Sequence, residues 1–208
     1  DPDVSPFMIG KTVTGMQFVD RGRVRKHLAT NFRSGLSTVL ISPRRWGKSS
    51  LMKQVSLDLA KERKIRFAWI DLFHVRTEEE FLERLAEAVV KPAGKTMEQR
   101  MPEVTEVIRG VVPQIGFGLD PQSDFTLKFT WPEGKRNMQD ILDLPERMAK
   151  AKKLRLTVCI DEFQNIAQLP DPLGFQKVLR ASWQHHQDVC YAIYGSKRHM
   201  MMDLFRKQ

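Results

Sequence analysis

Gly47, Lys48, Ser49 and Ser50 stand in a row between a short β-branched run, Thr38–Ile41, and a stretch of helical spacing over residues 49–61, with Leu51, Val55 and Leu59 on one face. This order places a glycine, a long cation and two hydroxyls at a helix start, where backbone amides point outward and the helix dipole favours an anion. Gly47 has no Cβ, so a phosphate could approach its backbone closely. Lys48 would bring a point charge to the β- and γ-phosphates of a nucleotide, and the Ser49 hydroxyl is a small, hard oxygen of the kind magnesium takes. Arg45, Trp46 and Ser50 flank these residues and complete the candidate cradle. The spacing is that of the phosphate loop, G-x-x-x-x-G-K-[ST], with one departure. Ser42 holds the first glycine position, which narrows the turn geometry open there.

A second chemical segment is Leu156-Thr157-Val158-Cys159-Ile160-Asp161-Glu162, an apolar run ending in two acids. Asp161 at the tip could hold magnesium directly or through water, and Glu162 one step further could polarise an attacking water as a general base. Alone, such a pair suits a helix cap equally well. Downstream of a phosphate loop it reads as a Walker B strand. A third segment, Ala192-Ile193-Tyr194-Gly195-Ser196-Lys197-Arg198, puts a hydroxyl just past another apolar run. Ser196 is placed where a γ-phosphate sensor would sit, although a Gly-Ser pair also serves simply to turn the chain. The three segments together point to ATP with magnesium as ligands, Glu162, Lys48 and Ser196 as catalytic candidates, and Ser49 and Asp161 as metal ligands.

The elements that must carry these residues alternate. Val24, Leu28 and Phe32 predict a helix over residues 21–32, and the run 65–72 a strand. Thr77-x-x-Glu80 is a capping-box signature opening a helix with Phe81, Leu82, Leu85 and Val89 inward. Residues 101–112 suggest a further helix, ended by Pro113. Residues 115–119 and 125–129 each alternate across a turn-rich link, a hairpin signal that we assign to an insertion over residues 114–131. Residues 137–153 are helical in pattern, with Pro145 kinking or restarting the helix. Residues 174–187 form a helix, residues 189–194 a strand, and a last helix begins near Arg198. Strand and helix alternating in this way imply an α/β domain with a parallel sheet and helices on both faces.

Composition narrows the remaining choices. The 208 residues suffice for one α/β domain, and no apolar run approaches the roughly 20 residues that a spanning helix needs. We therefore expect no membrane partner. Between Asp20 and Arg66 thirteen Lys or Arg face three acids, so this stretch accounts for the whole excess of the net +9. Such a patch could attract nucleic acid, and it also holds the phosphate site; charge alone does not separate the two. Cys159 and Cys190, each within an apolar run, read as reduced core thiols of a cytoplasmic protein. His185-His186 reads as a surface pair, and Met200-Met201-Met202 as core packing. Trp46 could either shield a nucleotide or pack on the neighbouring loop.

With these segments in order, the chain resembles the AAA-plus P-loop ATPases, in particular the prokaryotic branch known as the archaeal-type ATPase family. Pro43-Arg44-Arg45-x-Gly47-Lys48-Ser49-Ser50-Leu51 is similar to its phosphate loop, Ile160-Asp161-Glu162-Phe163-Gln164 to its Walker B strand, and Gly195-Ser196-Lys197-Arg198 to its sensor strand end. The resemblance implies a P-loop NTPase three-layer sandwich over residues 1–208, with the sensor strand between the phosphate-loop and Walker B strands. It implies that residues 1–20 lie near the adenine. Arg198 and Arg206 resemble arginine-finger candidates, though a solvated helix face explains them as well. The family continues into a fifth strand and a helical lid, which the sequence does not reach; we read the chain as a core fragment of a longer protein, slow in turnover. That would leave Thr38–Ile41 as an edge open to a second copy, hence a homo-oligomer. Three functions stay open: an ATP-hydrolysing domain coupling nucleotide state to conformation, a slow regulatory switch, and a nucleic-acid-associated module.

Overall fold

A computed structural model describes residues 21–43, 46–62, 64–90, 115–118, 126–129 and 138–196. The chain runs α1 (Arg21–Arg33), β1 (Thr38–Ile41), α2 (Lys48–Leu59), β2 (Ile65–Asp71), α3 (Glu78–Val90), β3 (Ile115–Gly118), β4 (Thr126–Phe129), α4 (Met138–Leu142), α5 (Leu144–Ala151), β5 (Arg155–Asp161), a 3₁₀ turn over Phe163–Gln168, α6 (Pro172–Trp183) and β6 (Val189–Gly195). The expected lead segment 1–20, the helix over 101–112 and the helix from Arg198, with Met200 to Met202 and Arg206, lie outside the described residues.

Four strands form one parallel sheet in the order β1-β6-β5-β2. The strand after which Ser196 follows therefore lies between the phosphate-loop strand and the strand ending in Asp161, as the resemblance implied. Side chains alternate across this sheet with the period of two that a strand imposes. On β6, Val189, Tyr191 and Ile193 join one apolar cluster, while Cys190, Ala192 and Tyr194 join the other. The first cluster is closed by Phe81, Leu82 and Leu85 of α3, Ile141 and Leu142 of α4, Met148 of α5, and Phe175 and Leu179 of α6. The second is closed by Val24, Leu28 and Phe32 of α1 with Met52, Val55 and Leu59 of α2. Helices thus cover both faces, giving a three-layer α/β sandwich. Every residue of β6 is buried, which is why this strand reads as a continuous apolar run.

Local chemistry sets the boundaries. The capping box forms: the Glu80 amide donates to Thr77 Oγ1 at 3.2 Å, and the Thr77 amide donates to Glu80 Oε2 at 3.3 Å. The helical pattern over 137–153 is broken into α4 and α5 at Asp143, because Pro145 lacks the N–H needed to continue and sits instead in the first turn of α5. The hairpin pairs antiparallel, from Ile115 opposite Phe129 to Gly118 opposite Thr126. The helix expected over 174–187 starts earlier, at Pro172, where Asp171 accepts the Gly174 amide at 2.9 Å, and stops at Trp183. His186 is not the surface group we expected. Its side chain is 3% exposed, with Nδ1 2.8 Å from the Tyr191 hydroxyl and Nε2 3.2 Å from Asp143 Oδ1, because the chain turns inward ahead of β6.

Within the described residues β1 pairs with β6 alone, so one side of β1 carries no strand there. Cys159 and Cys190 are buried free thiols, and burial pushes the Cys190 thiol up to about 11.

Candidate functional site

All four parallel strands end at the same edge of the sheet, so Ile41, Asp71, Asp161 and Gly195 deliver their following residues to one place. Gly47 precedes α2 with φ 75 and ψ 32, a left-handed conformation that glycine adopts without steric cost. A Cβ added there would meet Arg21 Nη2 at 3.2 Å. Ser42 does not sit in that region; among described non-glycine residues only Lys153 and Glu162 do. The loss of the first motif glycine is therefore tolerated by an ordinary backbone. The Ser42 hydroxyl is buried without a hydrogen-bond partner among the described residues.

Lys48 is 7% exposed, and its ammonium donates to the Ser42 and Pro43 carbonyls at 3.2 Å each. Burial pushes this ammonium below the ordinary lysine range, against the opposing pull of Asp161 and Glu162. The next residue, Ser49, donates its hydroxyl to Asp161 Oδ2 at 2.5 Å. Asp161 Oδ1 accepts the Glu162 amide at 2.8 Å. Burial pushes the Asp161 carboxyl up; Ser49 and the Glu162 amide pull it back, while the charges of Glu162 and Asp71 add to the rise. Glu162 itself has φ 52 and ψ 38, and Gln164 donates its side-chain amide to Glu162 Oε2.

The sequence candidates fall as follows. Lys48, Ser49, Asp161 and Glu162 come together at one end of the sheet. Ser50 is exposed in the first turn of α2, beside Ser49. Ser196 follows β6 at the same edge, half-buried, between the two motif strands. Arg45 lies outside the described residues. Trp46 takes the packing role: it lies against the α1–α2 cluster, and Arg21 donates to its carbonyl at 2.8 Å while holding its guanidinium 5.9 Å from the ring centre.

Four contributors were given no role of their own in the sequence. Arg21 braces the loop from the start of α1. Asp71 ends β2 in register with Asp161 and adds a third acid to the edge; a carboxylate at the tip of the strand 65–72 was the available signal. Gln164 reaches Glu162. Asn165 donates to the Leu72 and Phe73 carbonyls at 3.0 and 3.3 Å, tying the β2 loop to the turn after Glu162. No helical or strand period announces a 3₁₀ turn, which is why these last two were missed.

Hard oxygen donors converging beside a buried ammonium and a left-handed glycine fit a phosphate chain with a magnesium ion. Magnesium keeps several waters and takes one or two protein oxygens along with phosphate oxygens, so Ser49 and Asp161 suffice as its protein share. No group of three or more His, Cys, Asp or Glu among the described residues would form a protein-only metal cage. The basic stretch divides its charge: Arg25 pairs with Asp58, Arg33 pairs with Glu62 at 2.7 Å, and Arg66 donates to its own strand carbonyl, while Lys48 faces the site. No helix among the described residues is long and apolar enough to cross a membrane.

No family model matches the chain, and no curated protein matches it. Solved structures do. A Walker-type ATPase of Pyrococcus abyssi matches with a TM-score of 0.57 at 17% identity, over 95% of this chain and 51% of that one. The ORC2 protein of Aeropyrum pernix, solved as ADPNP–ADP complexes, matches with 0.54 at 18% identity, over 99% and 48%. Cdc6p of Pyrobaculum aerophilum matches with 0.51 at 14% identity, over 98% and 47%. The chain spans about half the length of each. At such identities the likeness establishes the fold, that of the archaeal P-loop ATPases.

Proposed function

We propose that the C-terminal edge of the sheet is a magnesium–ATP site and that the chain hydrolyses the nucleotide. The observation that carries the reading is the 2.5 Å contact between the Ser49 hydroxyl and Asp161 Oδ2, which joins two segments 112 residues apart directly beside Gly47 and Lys48. Ser49 and Asp161 would hold the metal, whose chemistry is to neutralise charge on the phosphate oxygens. Gly47 and the first amides of α2 would bind the β-phosphate, with Arg45 and Ser50 at the loop margins. Lys48 would leave the Ser42 and Pro43 carbonyls for the phosphates. Trp46, held by Arg21, would fix the loop.

Glu162 would take a proton from a water as its oxygen bonds to the γ-phosphorus, while the bond from that phosphorus to the bridging oxygen breaks and ADP leaves. Ser196, at the adjoining strand end, would hydrogen-bond the γ-phosphate. The tie from Asn165 to the β2 loop offers a route from the state of the nucleotide to the conformation around it.

Lys48→Ala tests the site. Removing a charged hydrogen-bond donor should lower affinity for ATP with magnesium by about 1.5–3 kcal/mol in isothermal titration. Equal affinity in the variant and the parent chain would overturn the assignment.

A further inference from the structure

We infer that Gln164 is a positioning residue that fixes the carboxylate of Glu162 for proton transfer; this rests on the proposed hydrolysis. Three bonds hold Glu162 at three different atoms. Its amide donates to Asp161 Oδ1 at 2.8 Å, and its carbonyl accepts the Asn165 amide at 2.9 Å. Its carboxylate Oε2 accepts the Gln164 side-chain amide. The backbone so fixed is left-handed, with φ 52, a region that costs a non-glycine residue energy and persists only where surroundings over-determine it. Oε1 is the oxygen that this bond leaves for water. A carboxylate that receives a proton must present one oxygen at a set position, and a bond to the other oxygen sets it.

Packing alone gives no reason for a glutamine here. Gln164 is 1% exposed, and its Oε1 has no hydrogen-bond partner among the described residues. A buried amide with an idle acceptor is less favourable than an apolar side chain of the same length. Among the described residues only its N–H is used, and it is used on Glu162. The backbone on either side is held independently: Phe163 and Ile166 are each 1% exposed in the core, and Asn165 is tied to the β2 loop. Gln164 thus adds little to the path of the chain and much to the orientation of one side chain.

Gln164→Met keeps the volume and removes the donor, with Gln164→Leu as a second variant. Each is paired with Glu162→Gln in a double-mutant cycle, reading ATP turnover, ATP affinity and the urea midpoint. The expected result is turnover lower by about tenfold to 10²-fold with affinity unchanged. The urea midpoint should be unchanged or higher, which a structural role would not give. In the Glu162→Gln background, Gln164→Met should cause no further loss, because residues acting as one unit are not additive. Unchanged turnover in both Gln164 variants overturns the inference while leaving the base assignment intact. A loss that adds fully to that of Glu162→Gln, or that follows a lowered midpoint in both variants, overturns it as well. If Glu162→Gln hydrolyses ATP like the parent, or the parent turns over no faster than Lys48→Ala, the hydrolytic reading fails and the inference with it.

Discussion

Charged and polar groups are buried at both ends of the sheet, but the two ends treat them in opposite ways. At the end where β5 and β6 begin, Glu146 is 7% exposed and accepts the Gln187 and Asp188 amides at 3.1 and 3.0 Å, with Lys150 at 3.1 Å. Asp143 accepts from Ser182 at 2.8 Å and from Gln139 at 2.9 Å, beside His186. Burial pushes both carboxyls up, yet these bonds outweigh it and hold them below the usual carboxylate range. At the opposite end burial wins. Lys48 is pushed down and Asp161 up, so the protein by itself disfavours both charged forms. One end closes its own electrostatics and serves the fold. The other carries charges that a polyphosphate with a divalent cation, the ligands proposed for it, would complement.

The largest test of this contrast is Glu146→Ala. It leaves the amides of exposed Gln187, which water can reach, and of half-buried Asp188 without their acceptor, at about 1–3 kcal/mol for a buried group that water does not reach. Urea unfolding should show a loss of about 2 kcal/mol at unchanged slope, with ATP affinity retained in the folded protein. A loss under about 1 kcal/mol would mean that water replaces the carboxylate and that this end is not closed.

Acid should act first at the same end. Burial pushes His186 below the ordinary histidine value, against the pull of Asp143 and Glu146. The unfolded chain therefore takes up this proton before the folded one, and stability falls as pH drops from about 6.5 through the lower folded value. The slope is at most about 1.4 kcal/mol per pH unit for one proton. Asp143 and Glu146, with depressed folded values, stabilise above about pH 4.5 and lose that contribution only as pH falls further. Asp161 has the opposite sign, since a raised carboxyl relieves its cost as pH falls through its folded value. Chemical unfolding at stepped pH should show the decline setting in below about pH 6.5 in the parent and a flatter curve in His186→Asn. Identical curves would remove His186 from the account.

The contrast also explains what could be read from the sequence. The end proposed as functional was legible because its groups are contiguous: Gly47-Lys48-Ser49 and Asp161-Glu162 stand beside apolar runs. Strand β6 was legible because burial on both faces leaves no polar interruption in it. The closed end was not. Glu146 meets Gln187 across 41 residues, and His186 meets Asp143 across 43, so no local period links them. His185-His186 looked like a solvated pair for that reason. Gln164 lay within the motif, but its reach to Glu162 depends on a left-handed residue that composition does not signal.

The smallest effect is also the sharpest discriminator. Lys48→Met removes a cation that the folded chain holds at a cost, while keeping most of the aliphatic stem packed. Two carbonyls lose a donor, those of Ser42 and Pro43. Pro43 is exposed, so water can take up its bond, and Ser42 alone is left under-satisfied. Relief of the buried charge and loss of that bond oppose each other at about 1 kcal/mol apiece. Stability should therefore change by less than about 1 kcal/mol, less than truncating Glu146 costs. Parallel urea curves for the two variants measure the ratio directly. A loss above about 2 kcal/mol in Lys48→Met would make Lys48 a structural cation like the groups at the other end, and the division between a closed end and a functional end would collapse.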